Sequence, residues 1–229
     1  LGRKISMTDP DMGTWSYTYD PNGNLLTQTD SKNQTITFTY DKLNRLLTKT
    51  YSTADPPVTY TYDNLVIPNG RGRLYSAANT NATTTINGYD TMGRTLSSSK
   101  TIAGDLNTYI TSYTYDLTGK TKTMTYPDNY QVNYSYYAGS ELLWKVAGNS
   151  DSREYARLED YEPSGKIGKL YQEDGSVVTT NTYDEYSGRL LSLKTENPNV
   201  LQHKIYSYTP AGDISQIIDQ VKSVTHTYT

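Results

Sequence analysis

The sequence predicts an all-β protein built from repeated antiparallel hairpins, and three observations lead to that prediction. The dipeptide Tyr-Asp recurs six times, aromatic and Thr residues alternate before most of its copies, and a Gly or Asn usually follows three residues after the Asp. Alternation with a period of two is typical of a half-buried strand, and no helical stripe competes with it. Asp at the first turn position and Gly at the fourth are typical of a chain reversal. The chain is therefore expected to be one array of strand, turn and strand units.

The stretch 17–26 shows this unit in full. Tyr17 and Tyr19 lie two residues apart, so they share one face of an extended strand. Asp20 can open a type I turn, and Gly23 can adopt the left-handed conformation that closes a G1 bulge. The two leucines that follow begin the return strand, which makes the stretch a hairpin with a four-residue turn.

The same unit recurs along the chain about nine times, with a period of roughly 21 to 27 residues that is typical of stacked supersecondary units. Three units, at 134–139, 161–165 and 206–212, lack the Tyr-Asp pair but keep the frame. We expect each Tyr to pack the sheet, and each Asp and Gly to fix a turn. The predicted structural residues are Tyr19, Asp20, Gly23, Tyr40, Asp41, Tyr62, Asp63, Tyr89, Asp90, Gly93, Tyr115, Asp116, Gly119, Tyr183, Asp184 and Gly188.

Variation between units gives further expectations. Asn44 stands at the fourth turn position of the second unit, where Asn is the next best residue after Gly for a positive φ. An insertion at 63–72 is expected to be a surface loop. A basic residue often precedes the first aliphatic residue of the return strand, as in Arg45-Leu46, and is expected on a solvated or salt-bridged face. The charged segment 152–160 is compatible with a short helix, a loop or a strand edge.

Composition excludes several classes of function. The net charge of −3 lacks the basic footprint of a nucleic-acid-binding protein, and the absence of Cys excludes disulfides and thiolate zinc sites. No run approaches the roughly 20 apolar residues of a membrane-spanning helix. The chain begins with Leu and stops at 224–229, which looks like the opening strand of another unit. We therefore expect residues 1–229 to form a single array cut from a longer chain, whose exposed sheet edges favour self-association.

Candidate catalytic residues are sparse, so the sequence predicts no enzyme, no cofactor and no metal. His203 and His226 have no motif around them, and there is no phosphate-binding loop or nucleophile elbow. The neighbouring carboxylates Glu159 and Asp160 would point to opposite faces of a strand. The repeated Asp residues lie one unit apart, which favours turn capping over calcium binding.

The repeated Tyr-Thr-Tyr-Asp, followed by Gly and Arg-Leu, resembles the motif of the YD-repeat family, also called RHS repeats. The resemblance implies a long hairpin sheet that coils into a hollow shell. Such shells enclose a C-terminal toxin in the insecticidal toxin complexes and Rhs toxins of bacteria, and teneurins carry a related barrel at animal cell surfaces. It also implies a secreted or cell-surface location, with flanking repeats of the parent chain and an enclosed toxin as partners. Asp-Pro dipeptides at Asp9, Asp20 and Asp55 lack the pattern of a self-cleavage site, so none is assigned that role.

The length of the array limits what it encloses. Nine units of two strands give roughly 85 Å of sheet, which would close into a ring only about 27 Å across. A folded 100-residue cargo, with a radius of gyration of about 13 Å, would not fit. We therefore expect a curved or coiling sheet that is part of a shell. The sheet is expected either to stay open or to close into a barrel filled by its own side chains.

Two alternatives to a non-catalytic structural segment remain at this stage. The first is a surface module that binds carbohydrate or protein through exposed Tyr residues and Trp15 or Trp144, since aromatic rings stack on sugar faces. The second is a glycoside-active enzyme, because folding brings some of the 24 carboxylates together.

Overall fold

The protein is described by a computed structural model that covers residues 2–151 and 153–228. Within these residues it contains twenty β-strands, and its only helical element is a single 3-10 turn, Glu173–Gly175. The strand pairs are antiparallel throughout the described residues. The predicted all-β array of antiparallel hairpins is thereby confirmed. The strands fall into two compact units, Leu1–Tyr113 and Thr114–Thr229, which are described separately.

The first unit contains nine complete strands and most of a tenth, which ends just beyond its boundary. Within the unit, each strand pairs with the next one in the chain, from β1 with β2 through β9 with β10. The strands are β1 (Ser6–Asp9), β2 (Gly13–Tyr19), β3 (Leu25–Thr29), β4 (Thr35–Tyr40), β5 (Leu46–Tyr51), β6 (Val58–Tyr62), β7 (Leu74–Ala78), β8 (Ala82–Tyr89), β9 (Thr95–Ile102) and β10 (Thr108–Tyr115).

The second unit has the same organisation, with each strand pairing with the next one in the chain, from β11 with β12 through β19 with β20. Its strands are β11 (Thr121–Thr125), β12 (Gln131–Tyr136), β13 (Leu143–Gly148), β14 (Glu154–Glu159), β15 (Lys169–Gln172), β16 (Val177–Tyr183), β17 (Leu190–Asn197), β18 (Asn199–Tyr208), β19 (Ile214–Asp219) and β20 (Val224–Thr227).

A bulge marks the turn end of most repeat hairpins. In the hairpin of β2 and β3, Thr18 pairs with Thr27, but Tyr19 pairs with Leu25, so the return strand has one extra residue. An extra residue increases the local twist and re-aims the side chains beside the turn. The same shift places Tyr40 opposite Leu46, Tyr62 opposite Leu74, Tyr136 opposite Leu143, Tyr183 opposite Leu190 and Tyr208 opposite Ile214.

Each unit is a single layer of sheet without a conventional core. Strands pack only against their neighbours in the sheet, and Tyr89, Val132 and Leu158 are the only large hydrophobic side chains in the described part of the chain that are less than 9% exposed. Cross-strand contacts and backbone pairing therefore carry the stability that burial supplies in a two-layer protein.

The two faces of the first unit differ in chemistry. One face, which we call the tyrosine face, carries alternate residues such as Tyr17, Phe38 and Tyr60. The opposite face, which we call the hydroxyl face, carries Ser or Thr at nearly every paired position from β1 to β10, with Ala78, Gly88 and Ile110 among the exceptions. Cross-strand hydroxyl pairs run along it, at 2.6 Å for Thr18 and Thr27, 2.6 Å for Thr39 and Thr48, and 2.7 Å for Thr61 and Ser76.

The insertion at 63–72 is only partly the surface loop that was expected. Its tip is exposed, Val66 at 92%, but its base packs on β8. The carbonyl of Pro68 accepts a hydrogen bond from the backbone N–H of Tyr89 at 3.0 Å, and the Asn69 amide donates to the Tyr89 carbonyl at 2.9 Å. The inserted loop therefore satisfies both backbone groups of Tyr89.

The charged segment 152–160 is neither a helix nor a loop, with Ser152 lying outside the described residues. Its residues form β14, which pairs with β13 on one side and β15 on the other and so is not a sheet edge. The charges that obscured the strand pattern pair with one another: Arg157 forms ion pairs with Glu154, at 2.9 Å, and with Glu159. Leu158 is buried on the other face, at 8% exposure.

Candidate functional site: the clamp between successive hairpins

The turn carboxylates bind the backbone of their own turns. Asp41 Oδ1 accepts hydrogen bonds from the N–H groups of Leu43, at 2.8 Å, and Arg45, at 2.9 Å. Asp90 Oδ1 accepts the two corresponding hydrogen bonds of its own turn, from the N–H groups of Met92 and Arg94, both at 2.9 Å. The Arg45 N–H holds the pKa of Asp41 below its ordinary value, opposed by burial and aided by the Arg45 side chain. Each such Asp therefore acts as a turn cap in its ionised form.

These lowered pKa values predict a loss of stability in acid. A carboxyl group in the unfolded chain titrates near pH 4, whereas these groups in the folded protein have lower pKa values. As the pH falls, protons therefore bind the unfolded state first. The stability that is present above pH 4 is lost as the pH drops through the folded pKa. The pKa values of Asp116 and Asp184 are also lowered, chiefly by the hydroxyls of Thr118 and Ser187. We expect the urea midpoint to fall steeply below about pH 4, and less steeply in Asp41→Asn. Equal midpoints at pH 3 and pH 7 would contradict this role.

The motif tyrosines link each hairpin to the preceding one. In eight of them the hydroxyl donates a hydrogen bond to the backbone carbonyl of the residue at or just before the start of the preceding return strand. The bonds run from Tyr19 to Lys4 (2.8 Å), Tyr40 to Leu25 (2.9 Å), Tyr62 to Leu46 (2.8 Å), Tyr89 to Leu74 (2.6 Å), Tyr136 to Thr121 (2.9 Å), Tyr161 to Leu143 (2.7 Å), Tyr183 to Ile167 (3.1 Å) and Tyr208 to Leu190 (2.8 Å).

In six of these eight cases the residue just before the accepting carbonyl is basic and covers the ring of the same tyrosine; the exceptions are Asn24, before the carbonyl that Tyr40 binds, and Leu142, before the one that Tyr161 binds. In the six cases this places a cation over an aromatic face, an attractive arrangement within about 6 Å. The distances from cation to ring centroid are 5.5 Å for Arg3 and Tyr19, 4.5 Å for Arg45 and Tyr62, 5.4 Å for Arg73 and Tyr89, 4.9 Å for Lys120 and Tyr136, 5.3 Å for Lys166 and Tyr183, and 5.4 Å for Arg189 and Tyr208.

We call this set the clamp: the motif Tyr of one hairpin, with the accepting carbonyl and the basic residue of the preceding one. The salt-bridged face expected for the basic residues is present at Arg45, which pairs with Asp41 and Asp63 at 2.7 Å each. Its guanidinium also bridges two hairpins, because Asp63 follows the Tyr62 that Arg45 covers. The basic position thus joins neighbouring hairpins.

The turn glycine lies beneath the basic side chain of the same clamp. Gly93 has a φ of +86°, and a Cβ there would lie 2.5 Å from Nη2 of Arg73. At Gly212 the corresponding atom is Nη2 of Arg189, at 2.6 Å. Glycine is therefore favoured by the backbone conformation, and any Cβ there would also make the flexible cation of the preceding hairpin shift from its place.

The one turn that replaces this glycine by Asn also lacks the cation. Asn24 stands where most other hairpins have Arg or Lys, the further exceptions being Leu142 and Asp213, and Asn44 stands where most turns have Gly, with a φ of +60°. The Asn24 amide donates to Oδ1 of Asn44 at 2.8 Å, and Asn22 donates to the same oxygen at 3.2 Å. Two changes in separate hairpins therefore compensate each other.

A double-mutant cycle on this pair tests the compensation. Asn24→Arg alone should crowd Asn44, and Asn44→Gly alone should remove one of the two acceptors of the Asn24 amide, the other being Oδ2 of Asp20. The double variant rebuilds the clamp found elsewhere, so we expect a favourable coupling of about 1 kcal/mol in the free energy of unfolding. Urea denaturation of the four proteins measures it, and strict additivity would show that the two positions do not interact.

The remaining candidate residues are not brought together. Glu159 pairs with Arg157, whereas Asp160 pairs with Lys169 at 2.7 Å. His203 lies 3.4 Å from the Ser192 hydroxyl. Among residues 2–151 and 153–228, no group of three His, Asp or Glu side chains is arranged to hold a metal ion.

Comparison with known proteins identifies relatives of this repeat array. The family model described as RHS Repeat matches residues 1–35 and 19–56. Toxin subunit YenC2 of Yersinia entomophaga is 32% identical over 87 residues, which cover 34% of this chain. A Tc holotoxin pore structure from Photorhabdus luminescens superposes with a TM-score of 0.71 at 20% identity over 96% of this chain. The crystal structure of TcdB2-TccC3 gives 0.70 at 21% identity over 96%.

The matches with the toxin proteins cover a small part of each relative. They span 9% of the Yersinia subunit and 12% of each solved chain. At this level of identity, the solved structures show a shared fold.

Proposed function

We propose that this chain, which matches the RHS-repeat model at residues 1–35 and 19–56 and shares the fold of bacterial toxin-complex proteins, is a structural wall segment of a shell that encloses a toxin polypeptide. The observation that carries this proposal is the clamp. The clamp fastens a hairpin to the one before it. A single layer of sheet has no core to hold its strands together, and the clamp supplies that lateral strength instead.

The proposal assigns no chemical reaction to this segment. The motif tyrosines, turn carboxylates and basic residues all bind other parts of the same sheet. Such residues hold a wall in place, and we propose that the residues predicted for the repeat, from Tyr19 and Asp20 to Asp184 and Gly188, have this structural role.

We further propose that residues 1–229 form one continuous array within a longer, secreted or surface-associated bacterial polypeptide. Its partners would be the flanking repeats of that polypeptide and the toxin chain inside. The hydroxyl face of the first unit suits a wall beside an enclosed chain, because neutral hydroxyls offer a polypeptide neither charge nor large apolar area to adhere to. No helix in the described part of the chain is long and apolar enough to span a membrane.

Protease protection of the enclosed polypeptide tests this function. In the parent protein, replacing Tyr40, Tyr62 and Tyr89 together by Phe removes three consecutive clamp hydrogen bonds. The wall should then open more often, and proteinase K should digest the enclosed chain faster.

The matched control replaces three other tyrosines, whose side chains are exposed, by Phe: Tyr126, Tyr186 and Tyr228. Protection should be unchanged in this variant. An enclosed chain digested at one rate in the wild-type, clamp and control proteins would contradict the proposal.

A second candidate function is glycan binding at the surface of the array. It is favoured by one observation, a groove with Trp15 on one side and Tyr51 on the other.

A further inference from the structure

The groove lies on the tyrosine face of the first unit and crosses β2 to β5. The register places Tyr17, Gln28, Ile36 and Tyr51 in one row across the four strands, so they share a face. Trp15 precedes this row on β2. Three strand spacings separate β2 from β5, about 14 Å, which is enough for one or two sugar rings laid across the strands.

The aromatic walls of the groove are positioned by contacts within the unit. The Trp15 indole N–H donates to the Met12 carbonyl at 3.1 Å, which orients the ring. The Lys49 ammonium lies 5.0 Å from the Tyr51 ring centroid. Both aromatic side chains are half-buried and border the open groove.

Polar groups between these walls retain hydrogen-bonding capacity. Oδ1 of Asp30 accepts the N–H groups of Lys32, at 2.9 Å, and Gln34, at 2.8 Å, which fixes the carboxylate. Asp30 and Asp55 form no ion pair with any described residue. The side-chain amides of Gln28 and Gln34 likewise make no hydrogen bond within residues 2–151 and 153–228.

We propose that this groove binds a neutral, hydroxyl-rich glycan segment, with Trp15 stacking on a sugar ring and Gln28, Gln34 and Asp30 bonding its hydroxyls. This inference locates and deepens the second candidate function, on which it rests. Sugar hydroxyls both donate and accept, as do the two amides, whereas the Thr53 hydroxyl that lines the groove donates to Asp55 at 2.6 Å and can still accept. A cationic side chain of a protein ligand only donates hydrogen bonds, so it would use the acceptors of the groove and leave the amide donors unused. An anionic sugar would be repelled by the carboxylates of Asp30 and Asp55.

Tryptophan fluorescence tests the proposal, since the chain has only two Trp residues. In a Trp144→Phe background, Trp15 is the sole indole reporter. Chitotriose, cellotriose and maltotriose are titrated to about 10 mM, a range that detects millimolar affinity. At least one should give a saturable change in emission, and a Trp15→Phe protein that keeps Trp144 should give none.

Affinity variants complete the test, measured by calorimetry with the trisaccharide that responds. Gln28→Ala and Gln34→Ala change side chains outside the clamp, and together they should weaken binding about tenfold, the effect of 1.4 kcal/mol. Trp144→Ala, in the second unit, should leave binding unchanged.

Three results would overturn the inference: no saturable response with folded protein, unchanged affinity in the Gln28 and Gln34 variants, or saturable binding of a tetra-arginine peptide in place of the sugars. None of them bears on protease protection, so failure of the glycan site and failure of the wall function are distinguishable.

Discussion

Replacing Gly93 by Val is expected to lower the free energy of unfolding by about 3 kcal/mol. Val is β-branched and fits poorly at the φ of +86° that the turn requires. Its Cβ would also displace the Arg73 guanidinium, which lies over Tyr89. Urea denaturation monitored by circular dichroism measures the loss.

Gly104→Val is the matched control for this substitution. Gly104 has a nearly equal φ of +83°, but a Cβ there would meet no atom within 4 Å. It should cost about 1 kcal/mol less than Gly93→Val, because only the backbone strain is shared. An equal cost at both sites would mean that the clamp contributes nothing at Gly93, and no cost at Gly93 would refute the repeated turn itself.

Tyr89→Phe is expected to cost about 1 to 2 kcal/mol, because it removes the hydroxyl that donates to the Leu74 carbonyl and leaves that acceptor without its partner. Tyr89 is only 7% exposed, so water does not readily replace the lost donor. The matched control is Tyr186→Phe, whose side chain is 93% exposed and whose stability should change little.

The comparison of these two variants separates a clamp from ordinary ring packing. Phe keeps the ring that Arg73 covers and removes only the hydrogen bond. A Tyr89→Phe protein as stable as the wild type would mean that the ring alone holds the hairpins together.

The hairpins could be predicted from the sequence because their signals are local. Tyr19, Asp20 and Gly23 lie within five residues of one another, and each acts on the backbone of its own turn or strand. The same spacing in successive units made the antiparallel array predictable as well.

The clamp could not be predicted in this way because its parts lie in different hairpins. Tyr89 and the Leu74 carbonyl are 15 residues apart, and only the register of β7 and β8 brings them together. One signal was present in the sequence: the turn with Asn44 in place of Gly is also the turn whose preceding hairpin has Asn24 in place of a cation. This coincidence is consistent with contact between the two positions, although Leu142 replaces the cation before a turn that keeps Gly165.

The strand β14 was missed for a different reason. Its alternation is carried by Arg157 and Glu159 on one face, and charged residues are counted as solvent-exposed in a hydrophobicity pattern. In a single-layer sheet both faces contact water, so ion pairs replace apolar residues at little cost.

The spectrophotometric titration of tyrosine tests the clamp most directly. Burial, the largest cause in every case, raises the pKa of six motif tyrosines above the usual value near 10: Tyr40, Tyr62, Tyr89, Tyr136, Tyr161 and Tyr183. Such a hydroxyl loses its proton more readily in the unfolded chain. Stability is therefore complete below pH 10 and falls as the pH rises through the folded pKa.

The clamp account predicts a separate high-pH step in the absorbance at 295 nm. The six tyrosines with raised pKa values ionise in that step, together with the loss of β-sheet circular dichroism. Ionisation of all 24 tyrosines near pH 10 with the sheet signal intact would contradict the claim that their hydroxyls fasten each hairpin to the one before it.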